Sequence, residues 1–506
     1  MKLRHLITQL EILKVSGNLD QEISGISYDS RKISPGDLFV AWQGTYSDGI
    51  SFVEEALSRG VVAFCLENEW KGASSTTDSI PRVRVKDARS SLADLAKAFY
   101  RNPTQALQTI GVTGTNGKTT VSFLIESILR SSGIRCGLLG TVLYKIDERF
   151  MVADRTTPES LDIQKFAHDM VNSGCSSLVM EVSSHALEQG RVRGINFDAA
   201  LFTNLTQDHL DYHKNFENYF RAKARLFENL KRDAVAVINE DDFYGKRLSH
   251  LTSGRIVSYG FSPERMVWAR NIVLNSEKSV FEIVFPEGVI KLSLSILGRF
   301  NVTNALAAFA GTWALGVDPE KIKEGLEALD QVPGRMQFVP IPLPFQVMVD
   351  YAHTEDALKN VLSTLRPLVK GRLITVFGCG GDRDSDKRPK MGRVAALFSD
   401  QVVITSDNPR SEDPSFIALQ IEEGVKEYQK PFKRILDRRE AIEFAMSEAQ
   451  EGDLILIAGK GHEKFQETGR VRIPFDDVVV AEQTVQSLKF SAPSKPTKAS
   501  RNKEPE

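Results

Sequence analysis

The run Gly111 to Thr120, GVTGTNGKTT, places three glycines just ahead of a lysine and two threonines. Backbone N–H groups can wrap a phosphate only where the chain turns tightly without Cβ obstruction, and a helix N-terminus adds favourable partial charge. Gly114, Thr115, Asn116 and Gly117 would form the wrap, Lys118 would bring positive charge, and Thr119 and Thr120 would open the helix. The Thr119 hydroxyl is a candidate ligand for Mg2+. The spacing departs from G-x4-G-K-[ST], because Val112 stands five residues before Gly117, and this points away from generic phosphate-loop kinases and motors. ATP is the expected nucleotide.

Two more clusters could serve such a site. Glu181 closes the apolar run in LVMEVSSHAL, at the carboxyl edge where parallel sheets bind ligands, and is a Mg2+ candidate. TNLTQDHLDYH, Thr203 to His213, follows another apolar run, and His209 could ligate a second metal ion through a neutral imidazole. Each cluster alone is more often a capped, hydrogen-bonded turn. Three at successive strand ends behind a phosphate loop favour a nucleotide and metal site. Further along, GDRD, DNPR and AGKGHE each follow a predicted strand and should meet at one sheet edge. There Arg383 and Arg410 offer bidentate carboxylate binding and Glu463 can accept from an ammonium group.

These residues need elements to hold them. Val121, Leu124, Ile125, Ile128 and Leu129 fall at helical spacing behind the loop, and Gly133 stops the helix. Buried-strand candidates at Thr109 to Thr113, Ser177 to Val182, Ala199 to Thr203 and Ala234 to Ile238 alternate with helical patterns, as in a doubly wound parallel sheet. After Val332-Pro333-Gly334 a second series begins, with strands at Gln346 to Val349, Leu373 to Phe377, Val402 to Thr405 and Leu454 to Ala458, the pattern of a Rossmann-like domain. Short apolar runs at Asp37 to Ala41 and Val61 to Leu66 mark a small N-terminal α/β domain. The expected division is 1–107, 108–333 and 334–490, with a polar, disordered tail at 491–506. The fold class is therefore α/β in three domains.

Composition agrees with a multi-domain globular enzyme. The chain has 506 residues, 42% hydrophobic and 26% charged, too long for one hydrophobic core. Lys plus Arg (64) nearly balances Asp plus Glu (66), so no basic field suggests nucleic acid or an anionic membrane. Cys65, Cys136, Cys175 and Cys379 are scattered, with neither metal spacing nor the density of a disulfide framework. The longest apolar stretch, near Ala305 to Val317, is too short for a bilayer. A cytoplasmic protein is expected.

The residues quoted above, with DRTTPES (Asp154 to Ser160), YFRAKARLF (Tyr219 to Phe227), GRFNVTNALAA (Gly298 to Ala308) and VDYAHTEDAL (Val349 to Leu358), resemble the Mur ligases of peptidoglycan synthesis, in their diaminopimelate-adding branch. The resemblance runs from about residue 24 to 480. It implies that ATP phosphorylates the terminal carboxyl of UDP-MurNAc-L-Ala-D-Glu and that the amine of a diamino acid displaces phosphate; a monomer is expected. In that scheme Lys118, Glu181, His209 and Lys223 are catalytic, with Thr119, Glu181, His209 and a carbamylated Lys223 at the metal ions. Helical charges are usually solvated, so Lys223 by itself reads as a surface lysine.

The resemblance places the substrate's peptide end at Thr156, Thr157, Ser183, Gln189 and Arg191. Its uridine end falls near Tyr28, Ser30, Thr45, Tyr46 and Ser47, although Ile50 stands where the family commonly has histidine. Asn301 and Asn304 resemble adenine contacts, and Asp350 and His353 resemble residues that close over the nucleotide. Asp407, Asn408, Pro409, Arg410 and Gly459, with Arg383 and Glu463, would form the amino-acid pocket. L-Lysine has no distal carboxylate for Arg410, whereas meso-diaminopimelate has one. L-Lysine addition and a folylpolyglutamate-synthase-like ligase remain as alternatives, the latter expected to lack the first domain and DNPR. A non-catalytic nucleotide-binding regulator is disfavoured by the intact Lys118, Glu181, His209 and Lys223.

Overall fold

In the computed structural model, which describes residues 1–44, 47–70, 79–469 and 471–491, the strand Gln108–Thr113 is buried along nearly its whole length. It runs parallel to Ser177–Glu181 on one side and to Ala199–Phe202 on the other. Cys136–Leu139 continues the parallel sheet past the first neighbour. Past the second come Val235–Asn239, Arg255–Gly260 and Val267–Leu274. Side chains alternate between faces along each strand. Ile110, Val112 and Val179 therefore pack with the helices Lys118–Ser131 and Arg299–Ala314. Leu178, Met180, Ala200 and Phe202 pack on the opposite face, with Ser160–Asn172 and Phe216–Glu228. Helices on both faces make the sheet doubly wound.

Four antiparallel strands extend the parallel centre to eleven. Leu143–Ile146 and Arg149–Val152 form a hairpin at one edge, and Ser279–Phe285 and Gly288–Leu294 one at the other. A separate five-stranded sheet lies nearer the N-terminus. Its strands Arg82–Val85, Ala63–Leu66, Asp37–Ala41 and Gly25–Ser27 are parallel in that order, with Ile12–Ser16 antiparallel at the edge. The helix Ala88–Phe99 buries Leu92, Leu95 and Ala96 in that core, and the Asp87 side chain caps it by accepting from Ser90 N. These two sheets belong to one compact unit, Met1–Val332.

The second unit, from Pro333, carries a six-stranded sheet. Gln346–Asp350, Leu454–Ala458, Leu373–Phe377, Gln401–Ile404 and Phe432–Arg434 are parallel in that order, and Gln337–Val339 pairs antiparallel at the edge. The last parallel strand of the chain enters between the first two, and the carboxyl edge at such a switch in strand order is where α/β sheets bind ligands. The expected runs at Leu373 to Phe377 and Leu454 to Ala458 match the strands residue for residue. Thr45, Tyr46 and residues 492–506 of the expected tail lie outside the described residues.

Beneath that edge sits a fully buried ion pair. Arg438 Nε donates to Asp477 Oδ1 at 2.7 Å, and a second guanidinium nitrogen donates to Asp477 Oδ2 at 2.8 Å. The same guanidinium donates to the carbonyls of Ala458 and Ser406, the residues just ahead of Gly459 and Asp407. Removing one partner of such a pair strands a buried charge. Asp477→Ala should cost about 3–5 kcal/mol in chemical denaturation. The double replacement Arg438→Met with Asp477→Leu should recover most of that loss, and equal losses in single and double variants would contradict the pairing.

Candidate active site

Steric crowding shapes the glycine loop. Gly114 has φ +148°, and a Cβ there would lie 1.8 Å from Thr203 Oγ1. Gly117, at φ +89°, would place one 2.4 Å from Asn304 Oδ1. Both positions favour glycine on backbone and space together. The following helix begins at Lys118. A second loop braces the first: Asn204 accepts from Thr115 N with its carbonyl at 2.9 Å and from Asn116 N with its side chain at 2.9 Å. Thr203 Oγ1 donates to Asn116 O at 2.6 Å. Asn301 and Asn304 are buried in the first turns of Arg299–Ala314, where Asn304 Nδ2 donates to Asn301 Oδ1. Asn304 thus lies beside the loop, with Asn301 bonded to it.

Two lysines meet at Gly114. Lys118 Nζ donates to Gly114 O at 2.9 Å and to Thr115 O at 2.9 Å, and Lys223 Nζ donates to Gly114 O at 2.8 Å. Lys223 is 1% exposed, which corrects its reading as a surface lysine. It lies four residues from both Tyr219 and Phe227 on the buried face of Phe216–Glu228, and its amine sits over the Tyr219 ring. Burial, and then the neighbouring Lys118 charge, hold the Lys223 amine well below the ordinary lysine range, with Asp208 acting the other way.

Glu181 is buried at the end of its strand, and its carboxylate is held by hydroxyls. Oε2 accepts from Thr119 Oγ1 at 3.1 Å and Thr141 Oγ1 at 2.9 Å, and Oε1 accepts from Thr141 N at 2.8 Å. Thr141 was not singled out from the sequence. Its hydroxyl oxygen also lies 3.1 Å from Thr156 Oγ1, which links Glu181 to the DRTT segment. Thr157 Oγ1 donates to Glu181 O and accepts from Ser183 N. His209 precedes the short helix Leu210–His213 at φ +53°, and its Nε2 lies 3.3 Å from Asp208 Oδ2.

Gln189 and Arg191 are joined to a buried carboxylate that sequence reasoning passed over. Glu159 Oε1 meets Arg89 at 2.7 Å, Arg155 at 2.5 Å and Arg191 at 3.1 Å. Gln189 Oε1 accepts from both Arg89 and Arg191. Glu159 stands within the quoted DRTTPES, four residues after Arg155, but Arg89 and Arg191 come from other segments and give no local pattern. Farther off, the hydroxyls of Tyr28 and Ser30 are engaged at 2.6 Å by Asp162 and Glu55, and Ser47 is exposed.

In the second unit the three expected loops do meet. Asn408 Nδ2 donates to Glu463 Oε2 at 2.8 Å, Gly381 N donates to Asn408 O at 2.9 Å, and Arg410 donates to Gly381 O at 2.7 Å. Gly459, at φ +110°, lets Asp407 approach, since a Cβ there would lie 2.7 Å from Asp407 Oδ2. Pro409 is buried and Arg383 exposed. Asp350 is buried and accepts from Met336 N and Ala352 N; burial raises its carboxyl above the usual range. His353 Nδ1 lies 2.9 Å from Tyr351 O.

Back in the first unit, a cluster of rings borders the loop after Glu181. His185 packs 4.8 Å from His209 and 4.2 Å from Tyr212, centroid to centroid. Burial, aided by His213, lowers its imidazole from 6.5 to about 4. The unfolded chain then binds the extra proton first, so the stability His185 contributes is full above pH 6.5 and lost as pH falls towards 4. Histidine NMR titration should show the His185 midpoint near 4, and a midpoint near 6.5 would contradict this environment.

Comparison with known proteins gives the family. Models match in order along the chain: Mur ligase family, catalytic domain, over residues 22–100; Mur ligase middle domain over 112–312; and Mur ligase, glutamate ligase domain, over 334–461. A UDP-N-acetylmuramoyl-L-alanyl-D-glutamate--2,6-diaminopimelate ligase of Geobacter metallireducens is 44% identical over 498 residues, covering 94% of this chain and 97% of that protein. A ligase of the same name from Bacillus licheniformis is 42% identical over 97% of this chain and 100% of its own. A solved structure under that name aligns at 35% identity and a TM-score of 0.66, covering 97% of this chain and 99% of that one. The chain is a ligase and belongs to the Mur ligase family.

Proposed function

We propose that this ligase joins meso-diaminopimelate to UDP-MurNAc-L-Ala-D-Glu with conversion of ATP to ADP and phosphate, as a cytoplasmic monomer making a peptidoglycan precursor. The carrying observation is identity of 44% and 42% over nearly the full chain to ligases named for that pairing. The match over residues 22–100 speaks against a folylpolyglutamate-type ligase. In this reading residues 1–107 take the uridine end, 108–333 take ATP and 334–490 take the amino acid.

A carboxylate reacts with an amine only after one oxygen becomes a leaving group. An oxygen of the D-Glu carboxylate attacks the γ-phosphorus, the bond to the bridging oxygen breaks, and ADP departs. The diaminopimelate amine then attacks the acyl carbon. Phosphate leaves with the carboxylate oxygen, and the nitrogen loses its proton to give the amide. Gly114 to Thr120 would wrap the ATP phosphates, with Lys118 offsetting their charge as the carboxylate approaches. Thr156, Thr157, Ser183, Gln189 and Arg191 would hold the peptide end, the last already oriented by Glu159.

The hydroxyl of Thr119 beside the carboxylate of Glu181 is a hard oxygen pair suited to Mg2+. His209 and Lys223 would complete the metal set. Mg2+ bound there would offset charge on the phosphoryl oxygens. An ammonium on Lys223 does not fit a cation, but a carbamate does. The lowered amine favours it, because only a neutral amine adds CO2. Arg410 would take the distal carboxylate of diaminopimelate and Glu463 its ammonium.

ADP release should require UDP-MurNAc-L-Ala-D-Glu, Mg2+ and meso-diaminopimelate together. Equal turnover with L-lysine would sink the amino-acid assignment, and turnover without the UDP substrate would sink the reading itself. Lys223→Ala should lose at least about 100-fold in kcat, on the scale of removing a charge-positioning group. Added short carboxylates should restore part of that activity if the carbamate is what was lost.

A further inference from the structure

Lys460, in AGKGHE, has no role in the reading above, yet its side chain is fully buried. Its Nζ donates to Asn408 Oδ1 at 3.0 Å and to Glu463 Oε2 at 2.9 Å. Asn408 Nδ2 donates to the same Glu463 oxygen at 2.8 Å, which closes a three-membered ring of side chains. Asn408 Oδ1 also accepts from Glu467 N at 2.9 Å, so the amide has one orientation that satisfies every partner. The ring spends one oxygen of Glu463 and leaves the other, Oε1, without a hydrogen bond from the described residues. Arg410, two residues on from Asn408, is held in the left-handed region at φ +50° by Gly469 N donating to Arg410 O and Arg410 N donating to Glu467 O.

We propose that Lys460 is a specificity-determining positioning residue: it pins Glu463 and cancels its charge, so that the pocket prefers an ammonium that arrives with its own carboxylate. This rests on the reading of that pocket as the amino-acid site. A carboxylate without a nearby cation attracts any ammonium, including the bare side-chain ammonium of L-lysine. A carboxylate already paired is locally neutral. It gains little from a bare ammonium but still accepts a directed hydrogen bond from a zwitterionic centre whose carboxylate is taken by a guanidinium. Lys460 would thereby act against the wrong amino acid as much as for the right one.

The test is kcat/KM for meso-diaminopimelate and for L-lysine in the wild type and in Lys460→Met, with KM for ATP and for the UDP substrate measured alongside. The expected result is a loss of at least about 10-fold with diaminopimelate, carried by KM, and a fall of about 10-fold or more in its preference over lysine, on the scale of one charged hydrogen bond. KM for the other two substrates should stay within about twofold, as their sites lose no contact. Equal losses with both amino acids would overturn the proposal, because a merely structural lysine gives that result. Should Lys460→Met fail to fold, Lys460→Gln, neutral but able to donate to Asn408 Oδ1, carries the same prediction. A wild type that shows no preference for diaminopimelate would instead overturn the reading of the pocket.

Discussion

Two lysine amines on one carbonyl oxygen set the terms for the rest of the site. Lys118 and Lys223 both donate to Gly114 O, in a place where Lys223 is 1% exposed. Burial, and then the neighbouring Lys118 charge, press Lys223 towards its neutral form. Lys118 stands at the helix N-terminus, where a phosphate would balance it. Lys223 sits over the Tyr219 ring among the buried positions of its helix, where burial favours the neutral amine. The fold thus leaves Lys223 as a buried amine disposed to the neutral form.

The elements around Gly114 exist to hold this arrangement. The phosphate-loop strand is flanked by the strands that end in Glu181 and lead into Thr203, so three carboxyl ends stand side by side. Hydrogen bonds then stitch them together: Thr203 and Asn204 to the loop, Thr119 and Thr141 to Glu181, and Thr157 to the Glu181 carbonyl. The second unit repeats the device with other chemistry. Its loops at 378–384, 406–412 and 459–463 meet around Asn408, over the buried Arg438–Asp477 pair.

What the sequence made legible was whatever obeys a local period. The central strands and the helix behind the loop were readable because buried parallel strands are continuous apolar runs and an amphipathic helix repeats every three to four residues. The edge hairpins were passed over because their strands are not continuously buried: Arg149–Val152 is exposed and Ser279–Phe285 is buried only at alternate residues. Thr141 was missed because its partner Glu181 lies far along the chain, and Glu159 and Lys460 because each pairs with distant segments as well as with a near neighbour in its own motif. Lys223 was a different case. Its spacing from Tyr219 and Phe227 was in plain view, but a charged residue on an apolar stripe is discounted unless something explains it. The resemblance supplied that explanation before the burial was known.

The central claim is that ATP activates the substrate carboxylate by transferring its γ-phosphoryl group. The direct test uses UDP-MurNAc-L-Ala-D-Glu labelled with 18O in its terminal carboxylate, with mass analysis of the phosphate released during ligation. The account predicts that each phosphate carries one oxygen from that carboxylate. Phosphate free of label, formed at the same rate as the tripeptide product, would contradict it.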